Sequence, residues 1–91
     1  MLVHIPTLWF YDNRRKAISG GGAQRWCRDA AEMLAKRGHQ VRIYNKAHEP
    51  YEVRLTPSIE VIGLRAPASF LGNWSLARQL DRLIPADAPV L

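Results

Sequence analysis

Three consecutive glycines, Gly20-Gly21-Gly22, lead into an amphipathic stretch that stops at Gly38-His39-Gln40-Val41. This feature narrows the folds open to the chain more than any other. Ala23, Cys27, Ala30, Ala31 and Leu34 recur at helical spacing and predict a helix over about 22–37 with a narrow apolar stripe of small residues. Lys36 and Arg37 complement the negative end of the helix dipole, and Gly38 supplies a left-handed cap. Upstream, Leu2-Val3-His4-Ile5 is an apolar run stopped by Pro6; downstream, Val41-Arg42-Ile43-Tyr44 alternates. Strand, helix and strand with this short return form a βαβ unit, so the two strands are expected to be parallel with a right-handed crossover. A glycine turn at a helix start also admits anions. Its backbone can be approached closely, and the first N–H groups carry the positive end of the dipole.

The remaining sequence extends the pattern. Residues 7–19 make a connection longer than the usual loop of about 4–6 residues, which points to a functional or mobile segment. Tyr51 to Leu55 and Ile59 to Leu64 alternate weakly around Thr56-Pro57, as a short ribbon or as one third strand with its approach. Asn73 or Ser75 is suited to cap a second helix that runs to about Ile84 on a stripe of Leu76, Leu80 and Leu83 or Ile84. Phe70, Leu71 and Trp74 read as core or domain interface rather than as a membrane-surface cluster beside Arg78 and Arg82. Ala88-Pro89-Val90-Leu91 looks like the opening of a further strand. The expected class is therefore α/β, a partial Rossmann-like three-layer sandwich with a mainly parallel sheet. A chain of 91 residues ending as a strand begins reads as part of a longer domain.

Charge and composition limit the function. No apolar run reaches the length of a membrane span, and the first residues lack the basic and apolar regions of a signal peptide. Cys27 is the single cysteine, which suits a reducing compartment and a cytoplasmic location. The net charge of +5 is uneven: residues 1–48 carry +6 and residues 49–91 carry −1. Arg14, Arg15, Lys16, Arg25 and Arg28 stand in sequence reach of the glycine turn, and the first four are the candidate contacts for an acceptor or another anion. His4 falls in a buried strand, His39 in the turn after Gly38, and His48 beside Glu49 without ligand spacing, so no metal is implied. The glycines do not spell Gly-x-Gly-x-x-Gly, and Gly-Lys-Ser/Thr is missing, which argues against dinucleotide and P-loop sites. Scattered basic residues and the lack of a known motif argue against nucleic acid.

Gly21-Gly22-Ala23-Gln24-Arg25, followed by a helix and Leu34-Ala35-Lys36-Arg37-Gly38-His39-Gln40-Val41, resembles the start of GT-B-fold retaining glycosyltransferases. The resemblance is to the large nucleotide-sugar-dependent group that commonly reads Gly-Gly-Ala/Val-Glu-Arg, then Leu-Ala-x-Arg-Gly-His, and it extends over essentially all 91 residues. It implies that residues 1–91 are the first part of the acceptor-side N-terminal domain. Gly20, Gly21 and Gly22 would face the donor diphosphate, Ala23 would let the helix start close to the sheet, and Arg25 would stand at the family's usual arginine. Gln24 replaces the commoner Glu and removes a carboxylate from the anion site. The implied partners are a nucleotide-sugar donor, a glycan or lipid-linked acceptor, and peripheral contact with the inner face of a membrane. The C-terminal donor-binding domain and the family's histidine after the next strand lie outside the 91 residues, so the chain alone is not expected to be active. The alternative is a non-catalytic interaction module that completes its fold with a partner chain.

Overall fold

The computed structural model describes residues 1–7, 10–18, 21–66 and 70–90. Its main sheet contains β1 (Leu2–Pro6), β4 (Gln40–Ala47), β5 (Tyr51–Thr56) and β6 (Ile59–Arg65), in the order β1-β4-β6-β5. A small ribbon of β2 (Tyr11–Asp12) and β3 (Ala17–Ile18) and the helices α1 (Gly22–Lys36) and α2 (Phe70–Leu83) complete the fold.

The expected parallel pairing of the two strands is present. β1 and β4 pair in parallel from Leu2 with Gln40 to Pro6 with Tyr44, and α1 connects them. β6 continues the parallel set against β4, from Val41 with Ile59 to Ala47 with Arg65. The expectation of a Rossmann-like, mainly parallel sandwich is overturned, because the sheet is mixed. β5 runs antiparallel to β6, pairing Tyr51 with Gly63 and Val53 with Val61. The cause is local. Only Pro57 and Ser58 separate the strands, and a connection that short can join only antiparallel neighbours. Thr56 Oγ1 accepts from the N–H groups of Ser58 (3.2 Å) and Ile59 (3.1 Å), which closes the turn. The opening strand at the other end is present as a parallel bridge of Val90 to His4, with the His4 N–H donating to the Pro89 carbonyl at 3.0 Å; Leu91 lies outside the described residues.

Strand alternation divides the packing into two clusters. Val41, Ile43, Ile59 and Val61 join Ile5, Phe10, Tyr11, Cys27 and Ala31 in the larger core, which α1 covers. Tyr44 and Leu64 point the other way and pack with Leu76 and Leu80 from α2 and with Ile84 just after it. Cys27 fills its core position as a small apolar group, and burial pushes its thiol up to about 11, far from the range of a reactive thiolate. α1 ends as expected: Gly38 sits at φ 88°, and the N–H groups of Gly38 and His39 donate back to the carbonyls of Ala35 and Leu34.

α2 begins earlier than its sequence caps imply, at Phe70. The core role expected for Trp74 is not observed: it is 65% exposed, because Leu76 and Leu80 occupy the inward face. The side chains of Phe70 and Leu71 lie outside the description.

Candidate functional site

In a βαβ unit the helix runs back against its strands, so its N-terminus lies at the carboxyl ends of the parallel strands. Ligands of open α/β sheets bind at that edge. Two features lie toward that edge: the glycine turn that opens α1, and an open cleft of about 390 Å³ at the ends of β4 and β6, which neither Gly21 nor Gly22 lines.

The turn is built on Gly21, whose φ of 132° and ψ of 163° are a conformation that residues with a Cβ rarely adopt. Gly22 follows as the first helical residue, in open space and with ordinary φ. α1 has no acidic residue in its first turn and no side-chain N-cap among the described residues. Gln24 folds back over the turn, with Oε1 2.5 Å from where a Cβ on Gly21 would stand. A glutamate there would bring a carboxylate to the same place, so glutamine keeps the helix start free of negative charge. Gly20 lies outside the described residues, as does the side chain of Ala23. Arg25 is exposed, and its N–H donates to the Gly21 carbonyl at 3.1 Å.

Within the long connection after β1, residues 11–18 form a hairpin of β2 and β3. Asp12 Oδ1 accepts from the N–H groups of Arg14 (2.9 Å) and Arg15 (3.3 Å), and Lys16 takes a left-handed φ of 54° to complete the turn. Lys16 Nζ donates to Asn13 Oδ1 at 3.1 Å. The hairpin is anchored from beneath by Asn45, which is fully buried. Its Oδ1 accepts from the N–H groups of Phe10 (3.3 Å) and Tyr11 (2.7 Å). Its Nδ2 donates to the Lys46 carbonyl (2.9 Å) and the Tyr51 hydroxyl (2.8 Å). Tyr51 in turn donates to the Tyr11 carbonyl at 3.2 Å. Tyr51 fits because Gly63, its partner on β6, leaves its ring the space a side chain would fill.

This anchoring sets the walls of the cleft. Tyr11, Asp12 and Arg14 form the hairpin side, Lys46, His48 and Glu49 the end of β4, and Tyr51 the β5 side. Of the four basic candidates, the structure brings Arg14 into the cleft. Arg15, Lys16 and Arg25 do not line it, and Arg15 pairs with Asp12 at 3.7 Å in a largely solvated contact. Lys46, which sequence reasoning passed over, is 5% exposed and contributes a cation at the strand end. Its signal was its place as the even-numbered residue after Arg42 and Tyr44 on a strand longer than the alternating stretch. His48 and Glu49 line the same cleft, and no group of three or more metal-ligating side chains occurs among the described residues.

On the other side of the sheet, His4 is 2% exposed, hydrogen-bonded through Nδ1 to the Tyr44 hydroxyl at 2.8 Å, and stacked on that ring. Burial, then the nearby Arg42 guanidinium, holds its pKa below the ordinary histidine value. Arg42 is engaged by Glu60 at 2.5 Å. This buried polar cluster is structural, as expected of a core histidine.

Comparison with protein-family models, curated proteins and solved structures found no match. No helix among the described residues is long and apolar enough to cross a membrane.

Proposed function

We propose that the chain is the N-terminal portion of a nucleotide-sugar-dependent glycosyltransferase. The observation that carries this reading is the turn at Gly21. Its φ of 132° is suited to glycine, and it opens a helix whose first turn has no acidic residue, toward the carboxyl ends of the parallel strands. The family-like sequence Gly21-Gly22-Ala23-Gln24-Arg25 falls on that turn. There the helix N–H groups would stabilise the diphosphate leaving group as its charge grows, with donors already oriented before reaction. The cleft at the ends of β4 and β6 suits a hydroxyl-rich acceptor, since tyrosines wall it and Arg14, Lys46 and His48 line it together with Asp12 and Glu49. A reducing, cytoplasmic setting accords with the single buried thiol, and lipid-linked acceptors would bring the protein to the inner membrane face. Catalysis would need the donor-binding domain.

The test is amide NMR of the chain titrated with UDP and, separately, with pyrophosphate. Saturable shifts centred on Gly21, Gly22 and Arg25 are expected for both, and Gly22→Asp should abolish them by placing a carboxylate in open space at the helix start. Shifts elsewhere only, or shifts indifferent to Gly22→Asp, would overturn the reading. The rival reading, an interaction module that pairs with another chain, is favoured by the open edge of β5.

A further inference from the structure

The main sheet ends differently on its two sides. β1 is bridged by Val90, whereas no strand among the described residues pairs with the outer edge of β5. A free row of N–H and C=O groups is a template for another strand, and proteins commonly blunt such edges with lysine or proline. Residues 51–56 contain neither; Pro50 and Pro57 bound the strand, and its pairing with β6 shifts between Arg54 and Thr56, so the regular part of the edge runs from Tyr51 to Arg54.

The residues of β5 select a partner. Tyr51, Val53 and Leu55 are half-buried and pack against the larger core, while Glu52, Arg54 and Thr56 are exposed on the opposite face. A strand joining this edge must continue both faces, so pairings that slip by one residue are disfavoured. If the partner is the same strand from a second copy, related by a two-fold axis, four registers keep the faces aligned over three or more residues. An axis at Glu52 sets that carboxylate opposite itself, and an axis at Arg54 sets guanidinium opposite guanidinium; both place like charges together. An axis at Leu55 joins only residues 54–56, across the shift in pairing with β6 between Arg54 and Thr56. An axis at Val53 sets Glu52 opposite Arg54 of the second copy, twice by symmetry, with Val53 opposite itself and Tyr51 opposite Leu55. Glu52 has no ion-pair partner among the described residues. Arg54 donates to the Pro57 carbonyl (3.0 Å) and to Glu60 (3.4 Å), and its five-donor fork retains hydrogens for another carboxylate.

We infer that β5 is a homotypic docking edge: two copies pair antiparallel about Val53, extending the sheet across the dimer with reciprocal Glu52–Arg54 pairs. The inference does not depend on the glycosyltransferase reading. An interface of one short strand per copy belongs to the small, transient class, so association is sought at chain concentrations on the order of 100 μM and above.

Sedimentation equilibrium of the chain tests the inference directly, with thermal melts confirming that each variant stays folded. A reversible monomer–dimer equilibrium is expected. Glu52→Arg and Arg54→Glu should each weaken it about tenfold, and the combined charge swap should recover most of that loss. Under mild oxidation Val53→Cys should give a disulfide-linked dimer, because opposed residues in an antiparallel pair lie about 4.5–5.5 Å apart at Cα. Glu52→Cys should not, because its copy lies two residues along the partner strand. A chain that stays monomeric throughout, a double swap no better than Arg54→Glu alone, or cross-linking through residue 52 rather than 53 would overturn the proposal.

Discussion

Asn45 uses both amide hydrogens and accepts two backbone N–H groups, so its amide is satisfied on every side within the core. Asn45→Ala leaves the N–H groups of Phe10 and Tyr11 buried without acceptors, a loss of roughly 2–4 kcal/mol by the usual cost of such groups. Urea denaturation should show this as a lower midpoint, and hydrogen exchange should show faster exchange at residues 10–18. A drop below about 0.5 kcal/mol would mean that the hairpin is held by other contacts. His4 makes a prediction in pH. Its folded pKa is lowered, so the unfolded chain takes up the proton first as pH falls. Stability is therefore fully present above the ordinary value of about 6.5 and is lost as pH drops through the interval below it. His4→Gln should flatten that part of the profile. His4 was legible in the sequence because an apolar strand surrounds it. Asn45 was not: its hairpin partners lie 35 and 34 residues upstream, and no local pattern marks an asparagine for that role.

Among the elements, the start of α1 offers the sharpest contrast. Gly21 and Gly22 are adjacent and chemically identical, yet only Gly21 has a positive φ. Gly21→Ala should cost about 1–3 kcal/mol through backbone strain. Gly22→Ala should be neutral or stabilising by up to about 1 kcal/mol, since it meets open space and alanine restricts the unfolded chain. Paired thermal melts measure both, and equal effects would contradict the turn geometry. The helix, its left-handed cap and both flanking strands were readable because each spans several turns or alternations. The ribbon β2–β3 was not, because two-residue strands are too short for a periodic signal and their order comes from Asp12 and the distant Asn45. The exposure of Trp74 was misread for a similar reason. Apolarity places a side chain inside only when the helix face agrees, and Leu76 and Leu80 hold that face here.

For the molecule as a whole, β1, β4 and β6 carry the parallel architecture that the alternating apolar stretches announced, and β5 departs from it. The weak alternation around Thr56-Pro57 left a ribbon and a single strand equally open; the direction of β5 follows from the two-residue connection, which Thr56 closes with its hydroxyl. The candidate site was legible in part for a related reason. The glycine turn is contiguous in sequence, whereas the cleft gathers the hairpin, the end of β4 and the start of β5.

The Pro57–Ser58 turn also has a consequence in time. β5 and β6 meet across two residues, whereas β1 reaches β4 only after the hairpin and all of α1 have intervened. Local hairpins close within about 1–10 μs, while distant pairings must first overcome the entropy of closing a long loop. The β5–β6 hairpin should therefore nucleate the sheet, with β4 and then β1 adding to it. In a chevron analysis, Leu55→Ala should mainly slow refolding, and Val3→Ala should mainly speed unfolding. The reverse pattern would make the crossover unit, with its longer reach, the first structure to form.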